Sequence, residues 1–474
     1  MRTLVWFRGK DLRVSDHAPL SSAVASGETV PVFVLDPYFF APERARRIPH
    51  RMQFLLESLG ALAQNLEHLG SRLLVVEGKS TQVIPALARR VKADRVVAHR
   101  WCEPFARERD RRVKAALSIP FELFEGETLH APGSLRTQQG APFLVFTAFA
   151  RAFAAQVEIA RALPAPERLP AVPADVTEPS SPIPTLEALG ITHNPELVPG
   201  GERAAKARLR AFCDGPATRY HELRDRLDQA GTSRLSQDLK FGTLSARTVW
   251  HAAERALVTS PEARSSFQNE LVWREFAHAT LWDHPAVLDE PLRPEWRDFP
   301  YREGADAEWL AWTLGRTGYP IVDAAARQLL REGFVHNRAR MIAASFLTKH
   351  LLIDYRRGEQ HYLRFLTDGD WAQNNAGWQW TAGCGTDAQP YFRVFNPVLQ
   401  GEKFDPTGAY VRRYVSELAL LPDRYLHRPW EMPADKLAAF GVSLGRDYPL
   451  PIVDHSVARR RFLAVSESYL KRAR

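Results

Sequence analysis

The sequence predicts an α/β domain built on a buried parallel sheet, followed by an all-α domain. Three observations carry this. Short apolar runs rich in β-branched residues alternate with amphipathic segments in the N-terminal part, prolines crowd one central stretch, and beyond residue 200 the apolar periodicity is helical.

Taken in order, Thr3–Phe7, Val30–Leu35, Leu73–Val76 and Arg95–Ala98 have the length and composition of strands covered on both faces. Between the second and third lies a helical pattern, Met52–Leu69, apolar at Phe54, Leu55, Leu59, Leu62, Leu66 and Leu69. Nine of the 34 prolines fall between Leu163 and Gly200. Proline removes a backbone donor and fixes φ, so this stretch is expected to lack regular structure, with Leu186, Leu189, Ile191 and Leu197 packing it against the domains. Ile321–Leu330 and Asn337–Leu352 are helical in pattern, and ten of the twelve tryptophans lie beyond residue 200. The expected division is an α/β domain over 1–130, a proline-rich linker over 131–200 and a helical, chemistry-bearing domain over 201–474.

Composition narrows the class. At 474 residues, with 45% apolar and 25% charged, the chain reads as a folded protein of more than one domain. A net charge of +8 favours polyanionic partners. The three cysteines, Cys102, Cys213 and Cys384, are far apart, which suits a reducing compartment and gives neither a disulfide framework nor a zinc motif. No apolar run approaches the ~20 residues that cross a bilayer, and the N-terminus turns charged too early for a signal peptide, so a cytoplasmic protein is expected. Gly78-Lys79-Ser80-Thr81 lacks the earlier glycine of a phosphate loop, whose place is taken by Leu73. Asp368-Gly369-Asp370 opens like a calcium loop but fails at Ala372, and no GxGxxG follows the first strand. No metal is expected.

The informative motifs are TGYPIVDAAARQLL (317–330), FVHNRARMIAASFLTKHLLIDY (334–355), DGDWAQNNAGWQW (368–380) and PYFRVFNP (390–397). With WFRGKDLRVSDHAPL at the N-terminus, TSRLSQDLKFG (232–242) and NELVWREF (269–276), they resemble the photolyase/cryptochrome family from residue 1 to about 465, and within it the class I enzymes that repair cyclobutane pyrimidine dimers. The opening motif departs by one extra residue near Gly9. The resemblance implies a Rossmann-like N-terminal domain and a helical FAD-binding domain. It also implies one-electron transfer from excited, fully reduced FAD to a dimer flipped out of UV-damaged DNA, by a monomer with no obligate protein partner. The alternative is a cryptochrome, a blue-light receptor without repair activity. That reading predicts a functional tail, whereas the match runs almost to the end of the chain, and it predicts loss of Glu270, Asn337, Met341 or Trp380, all of which are present.

Carried over by the same motifs, Tyr220, Thr232, Ser233, Arg234, Leu235, Ser236 and Arg274 line the cofactor. Arg340 and Asp368 form an ion pair beside the isoalloxazine, Gly369 lies between the two aspartates, Asp370 accepts from the imide N–H, and Asn374 faces flavin N5. An amide at that last position favours the reduced, anionic flavin. Glu270, Asn337 and Met341 act on the substrate, Trp273 and Trp380 flank it, and Arg224, Arg274, Arg338 and Arg393 contact DNA. Physically, Asn337 and Met341 are four apart on a helix and share a face, an amide beside a thioether that suits a pyrimidine edge and its saturated ring. Trp378 and Trp380, two apart, point in different directions. Thr232, Ser233 and Ser236 precede a helical stretch, where hydroxyls bind phosphate or simply cap the helix.

Two departures from the family matter. Its tryptophan route for photoreduction starts at Trp378, but the middle position here is Tyr355 and the outer one is Arg302, beside Tyr301. Slow or rerouted photoreduction is expected, continued by Tyr355 or by another aromatic such as Trp371. Folate-binding members carry Asn-Glu where Phe105-Ala106 stands, so a folate antenna in the usual mode is not expected; the run is closer to members that bind a deazaflavin, or no antenna.

Overall fold

The structure is a computed structural model, describing residues 1–388 and 390–472. The chain divides into two compact units. One comprises Met1–Thr218, Ser233–Pro285 and Thr367–Ala372; the other comprises Arg219–Thr232, Ala286–Leu366 and Gln373–Arg474.

The first unit holds a five-stranded sheet of β1 (Arg2–Phe7), β2 (Glu28–Leu35), β3 (Leu74–Glu77), β4 (Arg95–His99) and β5 (Phe121–Phe124). Every pairing is parallel, in the order β3-β2-β1-β4-β5. The predicted α/β fold is therefore present. All four strands read from sequence are found, and the helix between β2 and β3 runs Pro49–His68. β5 is the strand the sequence reading did not pick out. Phe-Glu-Leu-Phe is short and only half-buried, an edge strand without the continuous apolar run that marks the inner ones. Alternate residues of the strands feed two cores, as a doubly covered sheet requires. Val5, Phe7, Phe33, Leu35 and Val97 pack on one face, and Leu4, Trp6, Val32, Val34 and Val96 on the other.

The proline-rich stretch has no helix or strand between Gln156 and Glu202. It still packs, since Leu169, Leu189 and Ile191 are buried in the core shared by Phe7, Phe54 and Leu62. A further cluster of Phe146, Phe149, Phe153, Val272 and Phe276 seats the helix Pro261–Asp283 in this unit.

The second unit is helical around one large core that includes Trp312, Phe346, Tyr362, Trp378 and Tyr448. Its helix Asn337–Ser345 runs into a single wide turn over Phe346–His350. Wide turns of this kind shift the register of following side chains and recur near functional sites. No helix of the described residues is long and apolar enough to cross a membrane.

Gly242 closes the helix Ser236–Phe241 in the left-handed region, at φ 62°, and a Cβ there would strike the backbone of Lys10. Gly140 also has positive φ, 76°, but opens onto free space. Gly242→Ala is expected to cost about 3 kcal/mol or more in urea unfolding, against about 1 kcal/mol for Gly140→Ala. Equal losses would mean that strain rather than the close approach sets the effect.

Candidate active site

Both units contribute residues that the motifs single out. In the first, Glu270, Trp273 and Arg274 lie three and four apart on the helix Pro261–Asp283 and share one face. Trp273 is seated on Phe146, ring centroids 3.6 Å apart and 6° from parallel. Phe146 thus occupies one face of the indole and fixes the plane that its other face presents. Arg274 is 4% exposed; its Nη1 lies 3.4 Å from Glu275, while its Nε has no hydrogen-bond partner among the described residues. Ser233, Arg234 and Ser236 are half-buried and Leu235 is buried. Arg234 has φ 50°, and its carbonyl accepts from Gln237 Nε2 at 2.5 Å.

Asp368, Gly369 and Asp370 are buried in this unit too. Asp370 belongs to a charge cluster that sequence reading missed. Lys10 Nζ contacts Glu103 and Glu127 and lies 3.1 Å from Asp370 Oδ2. Lys240 Nζ is 3.7 Å from that same oxygen, and His278 Nε2 is 3.8 Å from Asp370 Oδ1 and 3.4 Å from Glu127. Arg51 donates to the Gly369 carbonyl at 3.2 Å. Burial alone would raise the Asp370 pKa, but Lys10, His278 and Lys240 hold it well below the usual carboxylate range. Lys10 is 4% exposed, and the carboxylates more than offset its desolvation, keeping it charged. The carboxylates have the grouping of a metal site, but the lysine ammonium sits among them.

A cavity of about 550 Å³ also lies in this unit, at the end of the sheet where β1 and β2 finish. Tyr38, Phe39, Trp101 and Phe105 give it flat aromatic walls, with Tyr38 and Phe105 stacked at 5.9 Å. Arg8 and Arg109 line it as well, each layered against Trp6 and Trp101 at 4.8–5.1 Å. Arg8 is 3% exposed, and its Nε and Nη2 have no hydrogen-bond partner among the described residues. Trp371 is part of the wall.

The second unit holds Tyr220, Arg224, Thr232, Asn337, Arg338, Arg340, Met341, Asn374, Trp378, Trp380, Arg393 and Tyr355. His336 caps the helix Asn337–Ser345 through its side chain, so Asn337 starts that helix exposed and Met341 lies one turn on. The two meet, with Asn337 Nδ2 3.9 Å from Met341 Sδ. Arg338 is aimed by Asp225, 2.9 Å away, and by the ring of Phe404, while Arg340 donates to the Val335 carbonyl at 2.7 Å. Exposed Arg393 offers its carbonyl to buried Lys349 at 2.8 Å. Trp378 is 4% exposed and Trp380 half-buried, consistent with the different directions that their spacing dictates.

One helix, Tyr355–Phe365, organises the residues around Asn374. The Glu359 carbonyl accepts from Asn374 Nδ2 at 3.1 Å, leaving the amide oxygen as the end turned elsewhere. The Glu359 carboxyl accepts from Asn375 at 3.1 Å, and burial raises its pKa to about 7. Gly358 lies against the Trp378 ring, where a Cβ would collide. Trp378 packs edge-on to Trp312 at 6.2 Å and Tyr362 at 5.2 Å, and Trp312 stacks on half-buried Trp309 at 5.6 Å. Tyr355 is 3% exposed, its phenol pKa is raised by burial, and its hydroxyl has no hydrogen-bond partner among the described residues.

These residues fit FAD. Asp370 is a buried carboxylate held ionised, an acceptor suited to an imide N–H, and Arg274 Nε is a buried donor without an acceptor among the described residues. Asn374 commits an amide N–H to Glu359 and keeps its oxygen as an acceptor, the kind of partner that the N5–H of a reduced flavin takes.

Comparison with known proteins agrees. Residues 3–171 match the family described as DNA photolyase, and residues 267–468 match the FAD binding domain of DNA photolyase. A deoxyribodipyrimidine photo-lyase of Agrobacterium fabrum is 40% identical, over 97% of this chain and 96% of its own. The crystal structure of a bacterial class III photolyase from Agrobacterium tumefaciens superposes with a TM-score of 0.91 at 39% identity, covering 99% of this chain and 98% of that one. An archaeal photolyase from Sulfolobus tokodaii, described with two FAD molecules and a novel light-harvesting cofactor, gives 0.83 at 28% identity, covering 99% and 100%.

Glu359 supplies a test of the local electrostatics. Its carboxyl is raised from 4.5 to about 7, so its contribution is full below the unfolded value and is lost as pH rises toward 7. Glu359→Gln is therefore expected to gain stability over the parent between pH 5 and pH 8, by up to about 3 kcal/mol. A stability difference that stays constant with pH would show that the carboxyl titrates normally.

Proposed function

The chain belongs to the DNA photolyase family, and from that premise we propose that it repairs cyclobutane pyrimidine dimers in DNA by light-driven electron transfer. The observation that carries the reading is the exposed Asn337 amide set against the Met341 thioether, a pair matched to a pyrimidine edge and its saturated ring. The residues that the family motifs assign to FAD are Tyr220, Thr232, Ser233, Arg234, Leu235, Ser236, Arg274, Arg340, Asp368 to Asp370 and Asn374. The chemistry that reduced FAD supplies when bound is one electron, given on illumination and recovered after the cyclobutane ring opens.

The protein's own residues orient and stabilise. Trp273, backed by Phe146, and Trp380 stack on the flipped-out bases. Glu270 as a protonated carboxyl and Asn337 through its amide N–H donate to the pyrimidine carbonyls, where negative charge develops. Arg224, Arg274, Arg338 and Arg393 hold backbone phosphates, and the net charge of +8 brings the protein to DNA.

Photoreduction is a separate matter. Loss of an electron makes a phenol a strong acid, so tyrosine carries the charge readily only where a base takes its proton. Tyr355 has no such partner, which disfavours it as the middle relay. The ring contacts favour Trp378 to Trp312 to Trp309 instead, ending at a half-buried indole. The cavity of the first unit suits an antenna chromophore of flavin or deazaflavin type, flat for its aromatic walls and anionic for Arg8 and Arg109.

Anaerobically reduced protein mixed with an oligonucleotide carrying one thymine dimer is expected to remove the lesion under blue light and not in darkness. Tight flavin binding without repair would favour the photoreceptor alternative. Trp312→Phe and Trp309→Phe are each expected to slow photoreduction of oxidised protein at least tenfold while leaving repair by pre-reduced protein intact. Tyr355→Phe is expected to change neither; a large slowing by Tyr355→Phe alone would restore the tyrosine route.

A further inference from the structure

The loop after β1 reads Arg8-Gly9-Lys10-Asp11 and carries the one residue that the resemblance leaves over. An extra residue in a loop is usually accommodated outward, and a lysine above all, because its ammonium is strongly hydrated. Here the side chain turns inward. Lys10 hydrogen-bonds Glu127 and Asp370 and forms an ion pair with Glu103, so three carboxylates share its ammonium. Its stem runs beside Trp101, with Nζ 5.6 Å from the ring centre. The loop is held in place by Leu12 N donating to the Phe241 carbonyl at 3.2 Å, and by Gly242 lying against the Lys10 backbone.

The three carboxylates come from stretches far apart in sequence. Glu103 precedes the helix Pro104–Ala116, Glu127 follows β5, and Asp370 precedes the helix Trp371–Ala382. Without the ammonium, three carboxylates would share one dry volume, with Lys240 and His278 as the cations in contact and Arg51, Arg109 and Arg274 acting from further away. Like charges that close do not all stay ionised.

We propose that Lys10 is a positioning residue for the flavin chemistry, fixing both the place and the charge of Asp370. This rests on the reading of Asp370 as the partner of the flavin imide. An ammonium behind that carboxylate adds positive potential where a reduced, anionic flavin carries its negative charge, so Lys10 favours the reduced form.

The test is the two-electron reduction potential of bound FAD in purified holoprotein, together with FAD content and thermal melting. Lys10→Met is expected to lower the potential by about 30 mV or more, a tenfold loss of preference for the reduced form, and Lys10→Arg to restore most of it. If Lys10→Met does not fold, the charge-balanced Lys10→Met/Glu127→Gln protein carries the same expectation. An unchanged potential at normal FAD content, or Lys10→Arg behaving like Lys10→Met, overturns the proposal. Asp370→Asn separates the two readings. If it shifts the potential or loses FAD while the Lys10 variants do neither, the positioning role fails alone; if it too leaves the potential and FAD content unchanged, the imide reading fails.

Discussion

A charge inside a protein has to be matched, and the Lys10 ammonium is where the first unit meets that requirement. Three carboxylates from distant parts of the chain converge on it, and one of them is Asp370. Removing either side of such a cluster leaves an uncompensated buried charge, which costs far more than the intact cluster contributes. Its value lies in specification rather than stability. The loop after β1, the loop after β5 and the segment before Trp371 can each take only the position that keeps the charges paired.

The second unit reaches similar precision with almost no charge. Along the helix Tyr355–Phe365, a missing side chain at Gly358 admits the Trp378 ring, the Glu359 carbonyl orients Asn374, and the Glu359 carboxyl ties down Asn375. Two consecutive residues thus set an aromatic and two amides. Directional hydrogen bonds and one close approach replace electrostatic matching.

Much of the architecture was legible in the sequence, and the reasons are local. Inner strands announce themselves by continuous β-branched runs, and nine prolines announce a stretch without helix or strand. Asn337 and Met341 could be placed side by side because helical spacing dictates it, and the structure has them in contact. What stayed hidden depends on partners far away in the chain. Phe146 behind Trp273 is separated from it by more than a hundred residues, and Lys10 from Asp370 by 360. Nothing in the sequence singles out Trp309 and Trp312; only ring distances join Trp312 to Trp378 and Trp309 to Trp312. The one available signal for Lys10 was the additional residue near Gly9, noticed as a mismatch but not read as an inward-facing cation.

The connector between Gln156 and Glu202 has a consequence for how the chain is made. The core on one side of the sheet includes Leu169, Leu189 and Ile191 from the connector, and Phe241 from beyond it. β1 to β4 leave the ribosome long before those residues exist. At roughly 5–20 residues per second, the apolar surface of a nearly finished sheet waits about 5–30 seconds for its cover. Over that interval the sheet is exposed to mispairing, and the nine prolines of the connector, which donate no backbone hydrogen bond, make it a poor partner for a strand edge beyond the bond from Ser181 N to the Val75 carbonyl.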